Sequence, residues 1–186
     1  DYEKAMSRAR ALVEQEPTTA QWRSDLAWGL WSGGHGAEAV TSARAGIAAD
    51  TTFYEVFDVL SLALAGEGKH EAADSAHQRA VRVAGGDYWV RQVNQGFLAS
   101  YRNDTAGVRR ALQSLEGDPR LSQRASLLLL LGRRDEAYAM FDRAVAARDL
   151  DLLQMLNGMP PLYRFRQEPR YQALLARIGL PERLRR

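Results

Sequence analysis

The chain has 186 residues, 46% of them apolar and 26% charged, with 15 Gly and 6 Pro, a composition that buries a core and excludes a disordered chain. It has no cysteine, which excludes thiol nucleophiles, disulfides and Cys-ligated zinc, and no apolar run near the roughly 20 residues that cross a bilayer. The net charge of +2 hides an asymmetry: residues 1–90 carry 8 Lys/Arg against 13 Asp/Glu, and residues 91–186 carry 17 against 10.

Helical periodicity runs through the chain, and nothing before residue 158 alternates with period two, so no sheet is predicted. The first segment, 2–15, places Ala5, Ala9 and Leu12 on one face and stops at Pro17. Helices are predicted at 19–32 and 36–49, broken at Gly33-Gly34, and at 53–66 and 70–84, broken around Gly66-Glu67-Gly68. The next pair is predicted at 87–101 and 105–115, with Asn103-Asp104-Thr105 as turn and cap. A further pair follows at 121–131 and on to about Arg148, around a turn that begins at Gly132. In the tail, Pro169 suits a first helical turn, Tyr171, Leu174, Leu175 and Ile178 form a stripe, and Gly179 with Pro181 ends the helix.

These pairs repeat. Ala5, Ala39 and Ala73 lie 34 residues apart, and Pro17, Thr51, Gly85 and Pro119 mark turns at the same spacing. In the last pair Ala137 sits where strict spacing from Gly107 would put Phe141, so its first helix is predicted to be about a turn short. A 34-residue helix–turn–helix period is that of the tetratricopeptide repeat (TPR), whose units bury their apolar faces only by stacking. The segment from Gly132 to Ala144 resembles the TPR consensus most clearly, with Ala137, Phe141 and Ala144 as the small–large–small face of the second helix. Asn94, His77 and Gly46 depart from it, standing where leucine, an aromatic or alanine, and alanine are typical.

The resemblance implies an all-α, right-handed TPR-like α-solenoid of antiparallel helix pairs, about four and a half repeats over 1–158, closed by a capping tail at 159–186 with a terminal helix. The first segment matches the second helix of a repeat, so the first repeat is expected to be truncated and the chain to be cut from a longer protein. Residues 165–181 resemble the ending that follows TPR arrays in bacterial winged-helix one-component regulators, adenylyl cyclases and serine/threonine kinases. That likeness implies the C-terminal part of a larger bacterial regulatory or signalling protein. The compartment is left open between the cytoplasm, which is favoured, and the periplasm for an array attached to a membrane-anchored regulator.

Candidate chemistry is thin. Asp149 with Asp151, and Asp135 with Glu136, lie in loops or helix starts, where the helix dipole accounts for them. His70, Asp74 and His77 share a helical face, but the two histidines stand about 10.5 Å apart along the axis, too far for one tetrahedral ion. Gly33-Gly34-His35-Gly36 lacks the strand and the Lys-Ser/Thr of a phosphate loop. We therefore predict no catalytic residue, no metal ligand and no cofactor.

Binding is the stronger expectation. The first helix of each TPR pair lines the inner groove, and helical phase turns Gln21, Ser24, Trp28 and Trp31 inward, then Glu55 and Asp58, then Trp89, Gln92 and Gly96. The expected partner-binding set is Gln21, Ser24, Trp28, Trp31, Glu55, Asp58, Trp89 and Gln92. Trp28 and Trp31 have a second reading, as packing between repeats. The inward lysine and asparagine of a carboxylate clamp are absent: Ser24, Trp28 and Asp58 stand there. An acidic floor without Lys or Arg favours a protein or peptide partner with basic and apolar side chains. No membrane contact is expected of this segment, and a homodimer is left open. The rival partner is nucleic acid, on the arginine-rich half, where 17 basic residues are spread over many helices and not gathered into a stripe.

Overall fold

A computed structural model describes residues 2–85 and 90–180, with the backbone alone of residues 90 and 91. Every described element is a helix. In order they are α1 (Tyr2–Gln15), α2 (Ala20–Ser32), α3 (Gly36–Ala49), α4 (Tyr54–Gly66), α5 (His70–Ala84), α6 (Val90–Tyr101), α7 (Thr105–Ser114), α8 (Leu121–Leu130) and α9 (Arg134–Ala146). Then come α10 (Leu152–Gly158), a 3-10 helix (Pro160–Phe165) and α11 (Pro169–Arg177). The chain divides into two compact units, Asp1–Asn94 and Gln95–Arg186, with the division falling inside α6.

In the first unit, α2 packs on α3, α4 on α5, and α4 also meets α2 and α3. The turns that reverse the chain are built alike. Gly34 N–H donates to Trp31 O at 3.0 Å and His35 N–H to Leu30 O at 2.8 Å, and Gly68 and Lys69 repeat this on Ala65 and Leu64 at 3.0 and 2.9 Å. These are Schellman ends, and they need a left-handed residue: φ is +84° at Gly34 and +74° at Gly68, 34 residues apart.

Helix α4 is the core of this unit. All ten residues from 56 to 65 are buried, because neighbouring helices cover it on several sides and no solvent face remains. Val56 and Phe57 pack with Ala80 of α5, against Ile47, Phe53 and Val83. Fully buried side chains such as Leu62 each stabilise the unit by roughly 1.5–3 kcal/mol relative to exposure. Small residues admit the neighbours: Ala39, Ala43, Ala73 and Ala80 have no exposed surface. Gly46 belongs with them, since a Cβ there would lie 2.7 Å from Val56 Cγ1 and 3.1 Å from Arg23 Cβ.

One face differs from expectation. Helix α1 buries Met6 and Val13, while Ala5 is exposed and Ala9 and Leu12 are only partly covered. The rotation follows from Gly29 on α2, which leaves a gap that Met6 fills: a Cβ at Gly29 would lie 2.5 Å from Met6 Sδ. The Tyr2 hydroxyl donates to Gly29 O at 3.3 Å on the same side.

In the second unit, α7 starts at the predicted cap: Gly107 N–H donates to Asp104 Oδ1 at 2.8 Å, and Asn103 takes the left-handed conformation at φ 56°. Helix α8 has 10 residues against 13 in α2 and α4, so the first helix of that pair is indeed short. Ala137, Phe141 and Ala144 of α9 have no exposed surface. Gly96, expected to face a groove, instead seats α6 on its neighbours: a Cβ there would collide with Leu127 Cδ2 and lie 3.2 Å from Ala111 Cβ.

The segment from residue 152 onward holds more structure than its sequence announces. Helix α10 and the 3-10 helix pack on α8, and α11 packs on α9. Tyr171 is fully buried and its hydroxyl donates to Leu156 O at 2.7 Å. Four contacts tie tail to α9: Arg134 Nε donates to Glu168 Oε1 at 2.9 Å, the Tyr138 hydroxyl to Glu168 Oε2 at 2.9 Å, Arg170 pairs with Asp135 at 2.5 Å, and Arg177 pairs with Asp142. The three ion pairs join residues 34 or 35 apart, so α11 lies beside α9 at about one repeat interval. Ile178 does not extend the stripe of α11. It caps the helix half-buried, Gly179 turns the chain at φ 80°, and Leu180 folds back to 7% exposure in its place.

Candidate functional site

The expected partner-binding residues lie in the first unit. Helix α2 carries Gln21, Ser24, Trp28 and Trp31 with spacings of three, four and three, which keeps them on one stripe. The stripe is not uniform in depth. Gln21 and Trp28 are partly exposed, whereas Ser24 is fully buried and Trp31 is 2% exposed. Trp28 meets Trp31 edge to face, with ring centroids 5.4 Å apart. Trp31 is therefore a core residue in this conformation, and of the two tryptophans only Trp28 offers surface to a partner.

On α4, Glu55 is partly exposed and Asp58 is 2% exposed. Asn94 Nδ2 donates to Asp58 Oδ1 at 3.2 Å, which partners the buried carboxylate. Glu55 is the carboxylate at the surface. Burial raises its pKa above the ordinary value, the charge of Asp25 raises it further, and a hydrogen bond from Tyr54 lowers it. The Tyr54 phenol is raised in turn, first by burial and then by the charges of Glu55 and Asp58. Gln92 of α6 is partly exposed, with its Oε1 buried and without a hydrogen-bond partner among the described residues. Trp89 lies outside the described residues.

The fold thus packs α2 on α4 with Asp25 of one acting electrostatically on Glu55 of the other. Asp25 was missing from the sequence-derived set. It is exposed, accepts from Gln21 Nε2 at 2.9 Å, and acts electrostatically on Glu55 thirty residues away. Its signal was the four-residue step from Gln21, which keeps both on one helical face.

The residues considered for catalysis are accounted for locally. Asp149 accepts from Ser122 N at 2.9 Å and from Asp151 N at 3.0 Å, and Asp151 accepts from Gln123 Nε2 at 2.6 Å. These carboxylates hold the start of α10 against the start of α8. His77 is a 5% exposed packing residue of α5, and among the described residues no three His, Asp or Glu group closely enough to hold a metal ion. In the second unit many arginines are engaged. Arg120 pairs with Asp118, Arg133 with Glu136, and Arg134, Arg170 and Arg177 with the partners described above. Arg164 and Arg166 stack on Phe165 and Tyr163 at 4.9 and 3.4 Å.

No protein-family model matches the sequence, and no curated protein matches it significantly. Solved structures do. TTC0263, a thermophilic TPR protein of Thermus thermophilus, is 25% identical with a TM-score of 0.62, covering 94% of this chain and 91% of its own. MamA is 19% identical with a TM-score of 0.52, covering 81% of this chain and 91% of its own. The fold class is therefore the all-helical α-solenoid of antiparallel helix pairs. Its structural neighbours are TPR proteins.

Proposed function

We propose that this chain is a non-catalytic interaction module that binds a protein or peptide segment on the face formed by α2, α4 and the start of α6. The observation that carries the reading is the pair of surface carboxylates on packed helices, Asp25 of α2 acting electrostatically on Glu55 of α4, with the half-buried Trp28 three residues along α2 from Asp25. A carboxylate such as Glu55, whose ionisation burial and the charge of Asp25 make costlier, gains from a cation placed beside it, and the half-buried indole of Trp28 on the helix of Asp25 offers apolar area and a cation–π face. The partner class is a segment with Lys or Arg beside apolar side chains. The binding set is Gln21, Asp25, Trp28, Glu55 and Gln92 at the surface, with Ser24, Trp31 and Asp58 as the buried support beneath; Trp89, also expected in the set, lies outside the described residues.

Fluorescence anisotropy with labelled twelve-residue peptides tests this. Peptides with paired Lys/Arg and Leu/Phe are expected to bind, with affinity falling as salt rises, and matched peptides with Asp/Glu are expected not to compete on this face. Glu55→Lys should weaken binding about tenfold or more with the fold intact. Equal binding by wild type and Glu55→Lys would overturn the proposal.

The wider setting, as the C-terminal part of a larger bacterial regulatory or signalling protein, is supported only by the likeness of residues 165–181 to the endings of such proteins. The natural gene's upstream sequence tests it. Nucleic acid remains the rival partner. The engagement of the second unit's arginines with carboxylates and rings disfavours it, and a gel shift at low salt that disappears by moderate salt would revive it.

A further inference from the structure

We propose a modification site: Asn157 converts spontaneously to aspartate and isoaspartate through its bond to Gly158, at a rate that the folded segment 152–177 controls. The chain has three asparagines, Asn94, Asn103 and Asn157, and only Asn157 is followed by glycine. Loss of ammonia from an asparagine begins when the backbone nitrogen of the next residue attacks the side-chain amide carbon. Glycine obstructs this attack least, having no Cβ and the widest choice of backbone angles. Gln95 and Asp104, which follow the other two asparagines, both carry a Cβ.

The folded chain holds the attack off. Asn157 and Gly158 end α10, and the helical backbone at Asn157 keeps the Gly158 nitrogen from closing a five-membered ring on the side chain. The peptide group that joins them is gripped by its oxygen: the Tyr163 hydroxyl donates to Asn157 O at 2.9 Å and Arg166 Nη2 at 3.0 Å. Because that group is planar, fixing its oxygen also fixes the Gly158 nitrogen. Helix α10 has only seven residues and no side-chain cap at its start, so by itself it is a weak restraint. Ring closure therefore waits for a local opening in which α10 parts from Tyr163 and Arg166.

The conversion has two steps, and water is the co-reactant. First the Gly158 nitrogen bonds to Asn157 Cγ, the Cγ–Nδ2 bond breaks, the Gly158 proton passes to solvent base, and ammonia leaves a cyclic succinimide. Water then adds to one ring carbonyl and the ring opens. Cleavage between the nitrogen and Cγ gives aspartate, and cleavage between the nitrogen and the main-chain carbon gives isoaspartate. Isoaspartate routes the main chain through Cβ and Cγ and turns the carbonyl held by Tyr163 and Arg166 into a free carboxylate. The preceding carbonyl, Leu156 O, accepts from the buried Tyr171 hydroxyl at 2.7 Å. The lesion thus falls beside the two carbonyls on which three side chains of the following segment are anchored.

Incubation of the full chain at neutral pH in heavy-oxygen water, with and without denaturing urea, followed by peptide mass spectrometry, reads the conversion at each asparagine. In urea Asn157 should convert about tenfold or more faster than Asn94 and Asn103, and Gly158→Ala should abolish that lead. Without urea Asn157 should convert at least about tenfold more slowly than with it, since only the opened fraction reacts. Tyr163→Phe withdraws one donor and keeps the ring. It should speed the folded-state conversion of Asn157 several-fold, and leave the rate in urea and the rates at Asn94 and Asn103 as in wild type. Arg166→Met, which withdraws the other donor, should do the same. The proposal is overturned if Asn157 shows no lead in urea, or if folded and unfolded chains convert alike. It is equally overturned if both variants, with circular dichroism as in wild type, keep the wild-type folded rate.

Discussion

Asn94 and Asp58 stand 36 residues apart in sequence and meet at 3.2 Å, amide to carboxylate, with each residue 2% exposed. A buried carboxylate is costly unless donors surround it, and Asn94 is one of those donors. Replacing it with the leucine typical of the repeat should therefore destabilise the protein by about 2–4 kcal/mol, despite the gain in apolar area. Asp58→Leu in the same molecule should recover a large part of the loss. Urea unfolding of the two singles and the double measures the coupling, and additive losses would remove the pair from the account of stability.

Gly46→Ala tests the packing of α3. The repeat family prefers alanine there, and alanine is the better helix former by about 1 kcal/mol. The added methyl would come within 2.7 Å of Val56 Cγ1 on the fully buried core helix. Overpacking should win, with a net loss of about 1–3 kcal/mol, and Val56→Ala should make the same glycine change neutral or favourable. Thermal unfolding of the four proteins gives the answer.

The two tryptophans of α2 should separate cleanly. Trp31→Ala removes a 2% exposed side chain and should cost about 3–5 kcal/mol. Trp28→Ala should cost clearly less and should weaken the basic peptide on the α2–α4 face. Equal losses of stability would mean that Trp28 is as much core as Trp31.

Helix boundaries were legible from sequence because each pair is punctuated by a residue with a physical duty: Gly34, Gly68 and Gly132 supply positive φ, and Asp104 supplies a cap. Faces were less legible. Ala9 lies on both possible stripes of α1, and only the gap opposite Gly29 chooses Met6 and Val13. Helix α10 was missed because seven residues starting at Leu152 carry no side-chain cap and follow a loop anchored by distant donors. At the candidate site, phase identified the stripe but not its depth, since Ser24 and Trp31 sink while Gln21 and Trp28 stay up. Depth depends on how helices pack, which spacing within one helix does not encode.

Glu55 sets a pH dependence. Its folded pKa is raised above 4.5, so the protonated form is the better tolerated one in the folded state. The stability this group contributes is fully present below its ordinary value and is lost as pH rises through the raised one. Asp118 runs the opposite way: held low by Arg120, it contributes above its ordinary 3.8 and fails as pH falls through its depressed value. Glu55→Gln should thus leave neutral-pH stability unchanged or slightly higher and flatten the profile just above pH 4.5, while Asp118→Asn should flatten it below pH 4. Chemical denaturation across the acid range up to neutral pH distinguishes the two.

Glu168 joins tail to array through Arg134 and Tyr138 and is 27% exposed at its side chain. Glu168→Ala should cost about 1–2 kcal/mol, part of it screened away by salt. It should also bring the Tyr138 phenol, raised by burial and then by Glu168, back towards its ordinary value in an ultraviolet titration.

The contacts that join residues 168–177 to α9 have a grammar that can be moved. Arg134, Asp135, Tyr138 and Asp142 all stand on one helix, and the tail engages them at close to the sequence interval by which a repeat follows its predecessor. These contacts therefore address only the pair before them and are indifferent to how many pairs came earlier. A chain lengthened or shortened by whole repeats upstream of α8 would keep the same contacts, and grafting those four residues onto another second helix should let residues 168–177 dock on it.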